Sequence, residues 1–369
     1  MAAAPTRLTC PLGEFELKRY PARKHEQLQA WCSADLLLLE AIETTAETLV
    51  VNDEHGVLAT ALAPCTSWTD SAMAVLAAKH NCQRNQVPAP NIVWSTASPA
   101  NSFRQVLIRI PKHLPYFEYQ LAALANTLPA GATLMCAGMD KHLSPQTATL
   151  IERYFDEVHR HRGQRKARLF SGKAKGRANW NPDEWQRGYY CEQLGGELRA
   201  GPNVFSGDKL DIGSRFLLEQ LAGIATAGST VDLACGNGVL GIAALQQGLA
   251  TDVLFVDESA MAIAAAQENC RSLAPAAGAR FHHGDGLEDI DDNFELILCN
   301  PPFHLGHTVD DYAGRRLIQQ AAQHLLPGGR LVLVANRHLE YAPLLNRAFK
   351  QVKRLAQNNK FIVWQAHLS

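Results

Sequence analysis

The chain has 369 residues, 47% apolar and 19% charged, with a formal charge of −1: a length for two or three domains of roughly 150 residues and a balance that excludes a wholly disordered chain. No apolar run approaches the ~20 residues of a membrane helix, and the opening MAAAPTRLTC lacks the apolar core of a signal peptide. The nine cysteines are scattered without a CxxC pair, which argues against zinc ribbons and disulfide frameworks, so the expectation is a reduced, cytoplasmic protein with no bound metal.

In the first half, Thr48–Val51 reads as a strand running into Asn-Asp-Glu-His-Gly56-Val-Leu58. Val106–Ile110 is an apolar strand that runs into Pro111. An apolar-periodic helix over Glu118–Leu128, the turn Pro129-Ala-Gly131, the strand Thr133–Ala137 and the pair His142-Leu143 follow. Charge is uneven: residues 1–180 carry 20 basic against 15 acidic side chains, and residues 181–369 carry 15 against 21. The segment from His159 to Arg177 holds Arg160, Arg162, Arg165, Lys166, Arg168, Lys173 and Lys175 besides Arg177, and no acid. With Gly163, Gly172 and Gly176 it reads as a basic connection over 159–185, either a solvated linker or a surface that neutralises phosphates.

The second half alternates strand and helix. Strand Thr230–Leu233 leads through Ala234-Cys-Gly-Asn-Gly238 into a helix over Val239–Gln247. Strand Asp252–Val256 ends at Asp257, and a helix covers Ala260–Leu273. Strands Ala279–His283 and Phe294–Cys299 end at Gly284-Asp285-Gly286 and Asn300-Pro-Pro-Phe303. A helix over Arg315–Leu326, the turn Pro327-Gly-Gly329 and strand Leu331–Ala335 come next, before final strands near Val352–Ala356 and Phe361–His367. Alternation of this kind means an α/β fold with an open, mostly parallel sheet, whose ligands bind beyond the carboxyl ends of the strands.

The two halves match element by element: strand into Pro, helix, Pro-Gly turn, strand and His-Leu pair in both, with Gly56-Val-Leu aligned on Gly238-Val-Leu. We read two diverged copies of one domain. The first copy has charged and bulky residues where the second has a glycine-rich turn, and Ile110-Pro-Lys-His where the second has Asn-Pro-Pro-Phe. The expected divisions are a degenerate domain over 1–158, the basic connection over 159–185 and a catalytic domain over 186–369.

The turn Ala234–Gly238 lets backbone amides approach a ligand closely. Asp257, about 20 residues on, stands where an acid takes both hydroxyls of a ribose, its alternative being a cap for the helix after Ser259. The turn is too short for GxGxxG, and no GK[ST] follows, so the ligand reads as an adenosine with a small tail. Asp285 can accept from an exocyclic amine of adenine, or simply shape a glycine turn. In Asn300-Pro301-Pro302-Phe303 the prolines stiffen the loop and remove donors. The Asn300 amide oxygen and the Pro301 carbonyl can together hold both protons of one planar NH2 group, turning its lone pair toward an electrophile, a reaction of positioning without metal or strong base. Phe303 offers a face on which an extruded base can stack.

These residues carry a resemblance. Val231–Gly238 resembles the cofactor motif of class I S-adenosylmethionine-dependent methyltransferases, and Asn300–Phe303 is similar to that of enzymes methylating exocyclic amines of adenine or guanine. Val204–Leu218 looks like the segment before the cofactor domain in bacterial ribosomal RNA guanine-N2 methyltransferases, which also carry a degenerate N-terminal copy of a Rossmann-like domain. Ala335–Leu339 and Asn358–Phe361 look more like the large-subunit (23S) group. The resemblance implies two tandem Rossmann-like methyltransferase domains and S-adenosyl-L-methionine as cofactor. Gly236 and Gly238 would line its methionine part, Asp232 would orient the turn, and Cys235 lies within it. Asp257 would hold the ribose and Asp285 read the adenine. Asn300 and Pro301 would hold the guanine N2 amine, Pro302 would stiffen the loop, and Phe303 would stack the base, while His304 beside the site would have a structural or RNA-contacting role, with a general base as the alternative. Ala234 departs from the motif's usual glycine, a costly change where φ is positive. The N-terminal copy and the basic connection would supply RNA recognition, in a monomer. Rival readings are a guanine in 16S RNA, adenine N6, an RNA-binding assembly factor and a small-molecule methyltransferase.

Overall fold

The computed structural model describes residues 4–23, 25–43, 45–100, 102–176, 180–275, 278–302 and 312–368. The chain divides into two units, Met1–Trp185 and Gln186–Ser369. In the first the order is β1 (Arg7–Cys10), β2 (Gly13–Glu16), α1 (Ser33–Glu40), β3 (Thr48–Val51), α2 (Val57–Ala61), β4 (Thr66–Thr69) and α3 (Ala72–Arg84). It continues with β5 (Asn91–Trp94), β6 (Gln105–Arg109), α4 (Leu114–Thr127), β7 (Thr133–Met139), α5 (Thr147–Tyr154), β8 (Phe155–Arg160) and β9 (Ala167–Ala174).

The second unit repeats that order: β10 (Arg187–Cys191), β11 (Gly196–Ala200), α6 (Ile212–Leu218), β12 (Ala227–Leu233), α7 (Val239–Gln246), β13 (Ala250–Asp257) and α8 (Ala260–Leu273). Then come β14 (Gly278–His283), β15 (Phe294–Cys299), α9 (Tyr312–Gln323), β16 (Leu325–Asn336), α10 (Ala342–Ala348), β17 (Gln351–Gln357) and β18 (Phe361–His367). Each unit holds a seven-stranded sheet of the same topology, β5-β4-β3-β6-β7-β9-β8 in one and β14-β13-β12-β15-β16-β18-β17 in the other. Five strands of each are parallel, and the last two join antiparallel. The duplication expected from sequence is therefore present element by element, and it extends to an amino-terminal two-stranded hairpin in each unit that the sequence reading did not find.

The alternation of side chains along each strand builds two cores in the second unit. Leu296 and Leu298 pack on one face with Val253, Phe255 and Val332. Val231, Leu233 and Ile297 pack on the other with Leu254 and Val256. Two expectations need correction. The basic stretch is not a connection, because β8 and β9 are the edge hairpin of the first sheet, β9 pairing with β7 from Thr133 opposite Lys173 to Met139 opposite Ala167; Phe170, Leu169 and Ala174 bury apolar side chains there. The helix expected over Arg315–Leu326 ends at Gln323, since Leu325 already pairs with Phe294. The register then jumps to Leu296 opposite Arg330, so Pro327-Gly-Gly329 is extra chain inside a strand rather than a helix-ending turn.

Candidate active site

Strands β12 and β15 are neighbours at the centre of the second sheet, where strand order reverses, and Leu233 lies opposite Cys299. The residues just beyond their carboxyl ends therefore share the position where open α/β sheets bind ligands. Ala234, Gly236 and Gly238 have φ of +60°, +55° and +85°, so the turn folds back sharply before α7. A Cβ on Gly236 would meet nothing within 4 Å, leaving its backbone open to the cleft, whereas one on Gly238 would lie 3.1–3.2 Å from Ala266 of α8. Gly236 thus serves approach of a ligand, and Gly238 serves close packing of α7 on α8.

Asp232 is fully buried beneath the turn. One carboxylate oxygen, Oδ2, accepts the Gly241 N–H at 2.8 Å, in the first turn of α7; the other, Oδ1, has no hydrogen-bond partner among the described residues. Burial pushes its carboxyl up to about 8; the Gly241 N–H opposes that rise and the Asp257 charge adds to it. Its place is under the helix, as expected of a residue that orients the turn. Cys235 lies on the cleft with its thiol pushed well up by burial, so it stays protonated.

The cleft is lined by Ala234, Cys235, Gly236 and Asn300 together with Tyr189, Phe205, Asp211 and Ser214. Asp257 stands behind the turn, accepting the N–H of Gly236 and that of Ser259, each at 2.9 Å. It both tethers the turn and bonds at the start of α8, where Ser259 itself caps through Ala262 N. Asp285 is buried, and both its oxygens accept from Arg316, at 2.8 and 2.7 Å; a base edge would find this carboxylate already engaged by a bidentate guanidinium.

Asn300 Nδ2 donates to Asp211 Oδ2 and Ser214 Oγ, both at 2.9 Å. Its Oδ1 is buried with no hydrogen-bond partner among the described residues. Such an acceptor is costly unless a ligand supplies the donor. Pro301 is buried and Pro302 exposed. Phe303 and His304 lie outside the described residues.

The first unit shows the same place with the chemistry removed. Val51 lies opposite Ile108 as Leu233 lies opposite Cys299, so Arg109 holds the position of Asn300, one residue before the Ile110 that the sequence match sets there. Its guanidinium is ion-paired to Asp35 of α1, and Glu54 and His55 occupy the turn, within ion-pair distance of each other at 3.8 Å. Charged and polar side chains line the first copy's version of the cleft in place of a glycine-rich turn and an amide.

Of the seven basic residues expected to meet RNA, four have partners inside the first unit: Arg165 pairs with Glu40, Arg168 with Asp140 and Lys175 with Asp156, and Lys173 donates to Thr133. Arg160, Arg162 and Lys166 are exposed on the β8–β9 hairpin. Sequence reasoning missed Tyr189, Phe205, Asp211, Ser214 and Arg316. Val204–Leu218 was singled out as a segment, but its only signal for a role was the Asp-x-x-Ser spacing that caps α6, where Ser214 N donates to Asp211 Oδ2 at 2.8 Å.

The family model described as the methyltransferase small domain matches residues 195–365, and that described as the RLMG N-terminal domain matches residues 5–176. The chain is 40% identical over 377 residues to a protein of Alcanivorax borkumensis named ribosomal RNA large subunit methyltransferase G, covering 96% of this chain and 95% of that one. A Pseudomonas aeruginosa protein of the same name is 38% identical, covering 96% and 98%. Among solved structures, a T. thermophilus 16S rRNA N2 methyltransferase in complex with AdoMet and guanosine superposes with a TM-score of 0.79 at 22% identity, over 99% of this chain and 98% of that one; at that identity the likeness is one of fold. With the cofactor-type turn, the buried asparagine and the duplicated unit in place, the chain belongs to the ribosomal RNA large subunit methyltransferase G family.

Proposed function

We propose that this chain transfers a methyl group from S-adenosyl-L-methionine to the exocyclic N2 amine of one guanine in 23S ribosomal RNA, acting as a monomer in the cytoplasm. The observation that carries the reading is Oδ1 of Asn300, buried and without a hydrogen-bond partner among the described residues, beside the open backbone of Gly236. The turn fits the cofactor: Gly236 leaves room where a Cβ would point, and Asp257 stands at the end of β13 beside it. When bound, S-adenosylmethionine supplies an electrophilic methyl carbon on a sulfonium.

The chain's own part is positioning. Asn300 Oδ1 accepts one proton of the target amine, and the Pro301 carbonyl can accept the other, so the nitrogen lone pair turns toward the methyl carbon. The amine nitrogen would take the methyl group, leaving the bound cofactor as the thioether, and the surplus proton of the amine would pass to water. Phe205, exposed at the cleft, would offer a face for the extruded base, the role that the sequence gives Phe303, and unstacking that base costs a few kcal/mol. The β8–β9 hairpin, with Arg160, Arg162 and Lys166 exposed, offsets that cost through phosphate contacts. Ribosomal RNA as substrate follows from the names of the full-length relatives, and the large subunit from the same names. The monomer rests on the duplication, which already pairs two like domains in one chain. The test is transfer of a labelled methyl group to protein-free ribosomal RNA, with Asn300→Ala run beside the native chain: the account expects transfer by the native chain and none by the variant, and native-level transfer by the variant would refute it.

A further inference from the structure

An asparagine can hold a substrate amine only in one of its two amide orientations. Rotated by half a turn, Asn300 would present an NH2 group to an NH2 group, donor against donor. We infer that Asp211 and Ser214 are positioning residues that lock the Asn300 amide with its oxygen facing the target amine. This rests on the proposed role of Asn300.

Nδ2 of Asn300 lies 2.9 Å from both Asp211 Oδ2 and Ser214 Oγ. Asp211 Oδ2 accepts from Ser214 N–H and from the Asn300 amide alike, so Asp211 selects the nitrogen end and leaves the oxygen for the cleft. The flipped amide would set its oxygen against that carboxylate and lose the bond to Asp211, whereas the Ser214 hydroxyl could turn to donate; the selection therefore rests on Asp211, and Ser214 adds a second bond to the selected orientation. The lock is itself held, because the same Asp211 oxygen accepts the Ser214 N–H at 2.8 Å as the cap of α6. Helix and amide are thereby fixed to one another across 86 residues of chain. Gly213, between them, keeps the approach clear, since a Cβ there would stand 3.0 Å from Asp211 Oδ2 and 3.5 Å from Asn300 Oδ1. The first unit is an internal control. Where Arg109 replaces the asparagine, the cap position holds Cys32 instead of an aspartate, and the residue three on is Asp35, paired to that arginine. The lock is absent from the copy that has no amide to orient.

The experiment compares Asp211→Ser, Ser214→Ala, Asn300→Ala, Asn300→Asp and the double variant Asp211→Asn/Asn300→Asp in the full chain. It measures kcat, KM for protein-free ribosomal RNA, Kd for S-adenosylhomocysteine, and Tm. Serine caps a helix about as well as aspartate, so Asp211→Ser should keep its Tm within about 2 °C, but a hydroxyl donates as readily as it accepts and no longer selects the nitrogen end of Asn300. The lock predicts a kcat about tenfold or more lower for Asp211→Ser and a smaller loss for Ser214→Ala, with KM and Kd each within about threefold. Asn300→Asp sets two carboxylates face to face and should lose about a hundredfold. The double variant restores a donor–acceptor pair, with an oxygen still toward the amine, and should recover at least about tenfold over Asn300→Asp, a rescue that no merely structural role provides. Native kcat in Asp211→Ser, or a double variant no better than Asn300→Asp, overturns the inference while leaving Asn300 in place. Native kcat in Asn300→Ala overturns the role of Asn300, and the inference with it.

Discussion

Asn81 and Asn269 make the same three hydrogen bonds in the two halves of the chain. Asn269 accepts Arg199 N at 2.8 Å and donates to Arg199 O at 2.8 Å and Asn237 O at 3.0 Å. Asn81 accepts Lys18 N at 2.9 Å and donates to Lys18 O at 2.9 Å and His55 O at 2.8 Å. Each ties its helix to the amino-terminal hairpin segment and to the residue before the turn glycine. Removing either leaves buried backbone groups unsatisfied, so Asn269→Ala and Asn81→Ala should each cost about 2–4 kcal/mol in urea unfolding. Only Asn269→Ala should also weaken S-adenosylhomocysteine binding, because Tyr189 of β10 lines the cleft. Equal loss of cofactor affinity in both would contradict the assignment of the cofactor to the second unit.

Ala234 carries a φ of +60°, a conformation that costs a residue with a Cβ about 1 kcal/mol. Ala234→Gly should stabilise the second unit by about 0.5–1 kcal/mol and leave cofactor affinity within about threefold. Gly56→Ala should do the reverse in the first unit, since its Cβ would sit 2.3 Å from Ala78 Cα. That glycine is kept for the packing of α2 on α3, although its unit has lost the cleft's chemistry. A destabilising Ala234→Gly would show that the turn is not strained.

Asp232 sits at about 8 in the folded chain and near the ordinary aspartate value once unfolded. A raised acid is protonated in the folded state while ionised in the unfolded one, so its contribution to stability is complete below about pH 4 and is lost as pH rises through about 8. Asp232→Asn keeps the acceptor for Gly241 and has no charge to bury. Relative to the native chain it should gain about 1 kcal/mol for each unit between pH 5 and 8, then level off. Asp53, raised to about 7 chiefly by burial, holds α2 in the same way through Val57 N and Ala59 N; Asp53→Asn should level off a unit earlier. A flat difference for Asp232→Asn would mean that the carboxylate is ionised in place.

The tip of the β8–β9 hairpin is a two-residue turn, Gln164 and Ala167 exchanging backbone bonds at 2.8 Å around Arg165 and Lys166, whose φ values are +50° and +59°. Asn-Gly is the favoured pair for such a turn. Arg165→Asn/Lys166→Gly should therefore stabilise the first unit by about 1–2 kcal/mol while weakening RNA binding. Arg160→Ala/Arg162→Ala/Lys166→Ala should lower RNA affinity and reduce the slope of log K against log salt by about 2, at roughly 0.7 per phosphate contact. An unchanged slope would remove the hairpin from the RNA surface.

The architecture was legible where apolar periodicity is strong. Thr230–Leu233, Ala260–Leu273 and Phe294–Cys299 stand within a few residues of their expected bounds, and the repeat of those patterns announced the duplication. The β8–β9 hairpin was not legible, because β8 is mostly polar and exposed with a register shift between Asp156 and His159, and β9 sets Arg168 and Lys173 among its apolar residues. Motif glycines and Asn300 were found because backbone freedom and a rigid proline loop are local properties of sequence. Asp211, Ser214 and Arg316 act across 89, 86 and 31 residues. No local pattern reports such distances, so the lock on Asn300 and the guanidinium on Asp285 became visible only in the fold.

The most direct measurement of the central claim is transfer of labelled methyl from S-adenosylmethionine to protein-free 23S and 16S RNA, with nuclease digestion and identification of the modified nucleoside. The account predicts N2-methylguanosine in 23S RNA, abolished by Asn300→Ala while S-adenosylhomocysteine still binds. Label in adenosine, label in 16S RNA alone, or label undiminished in the variant would contradict it.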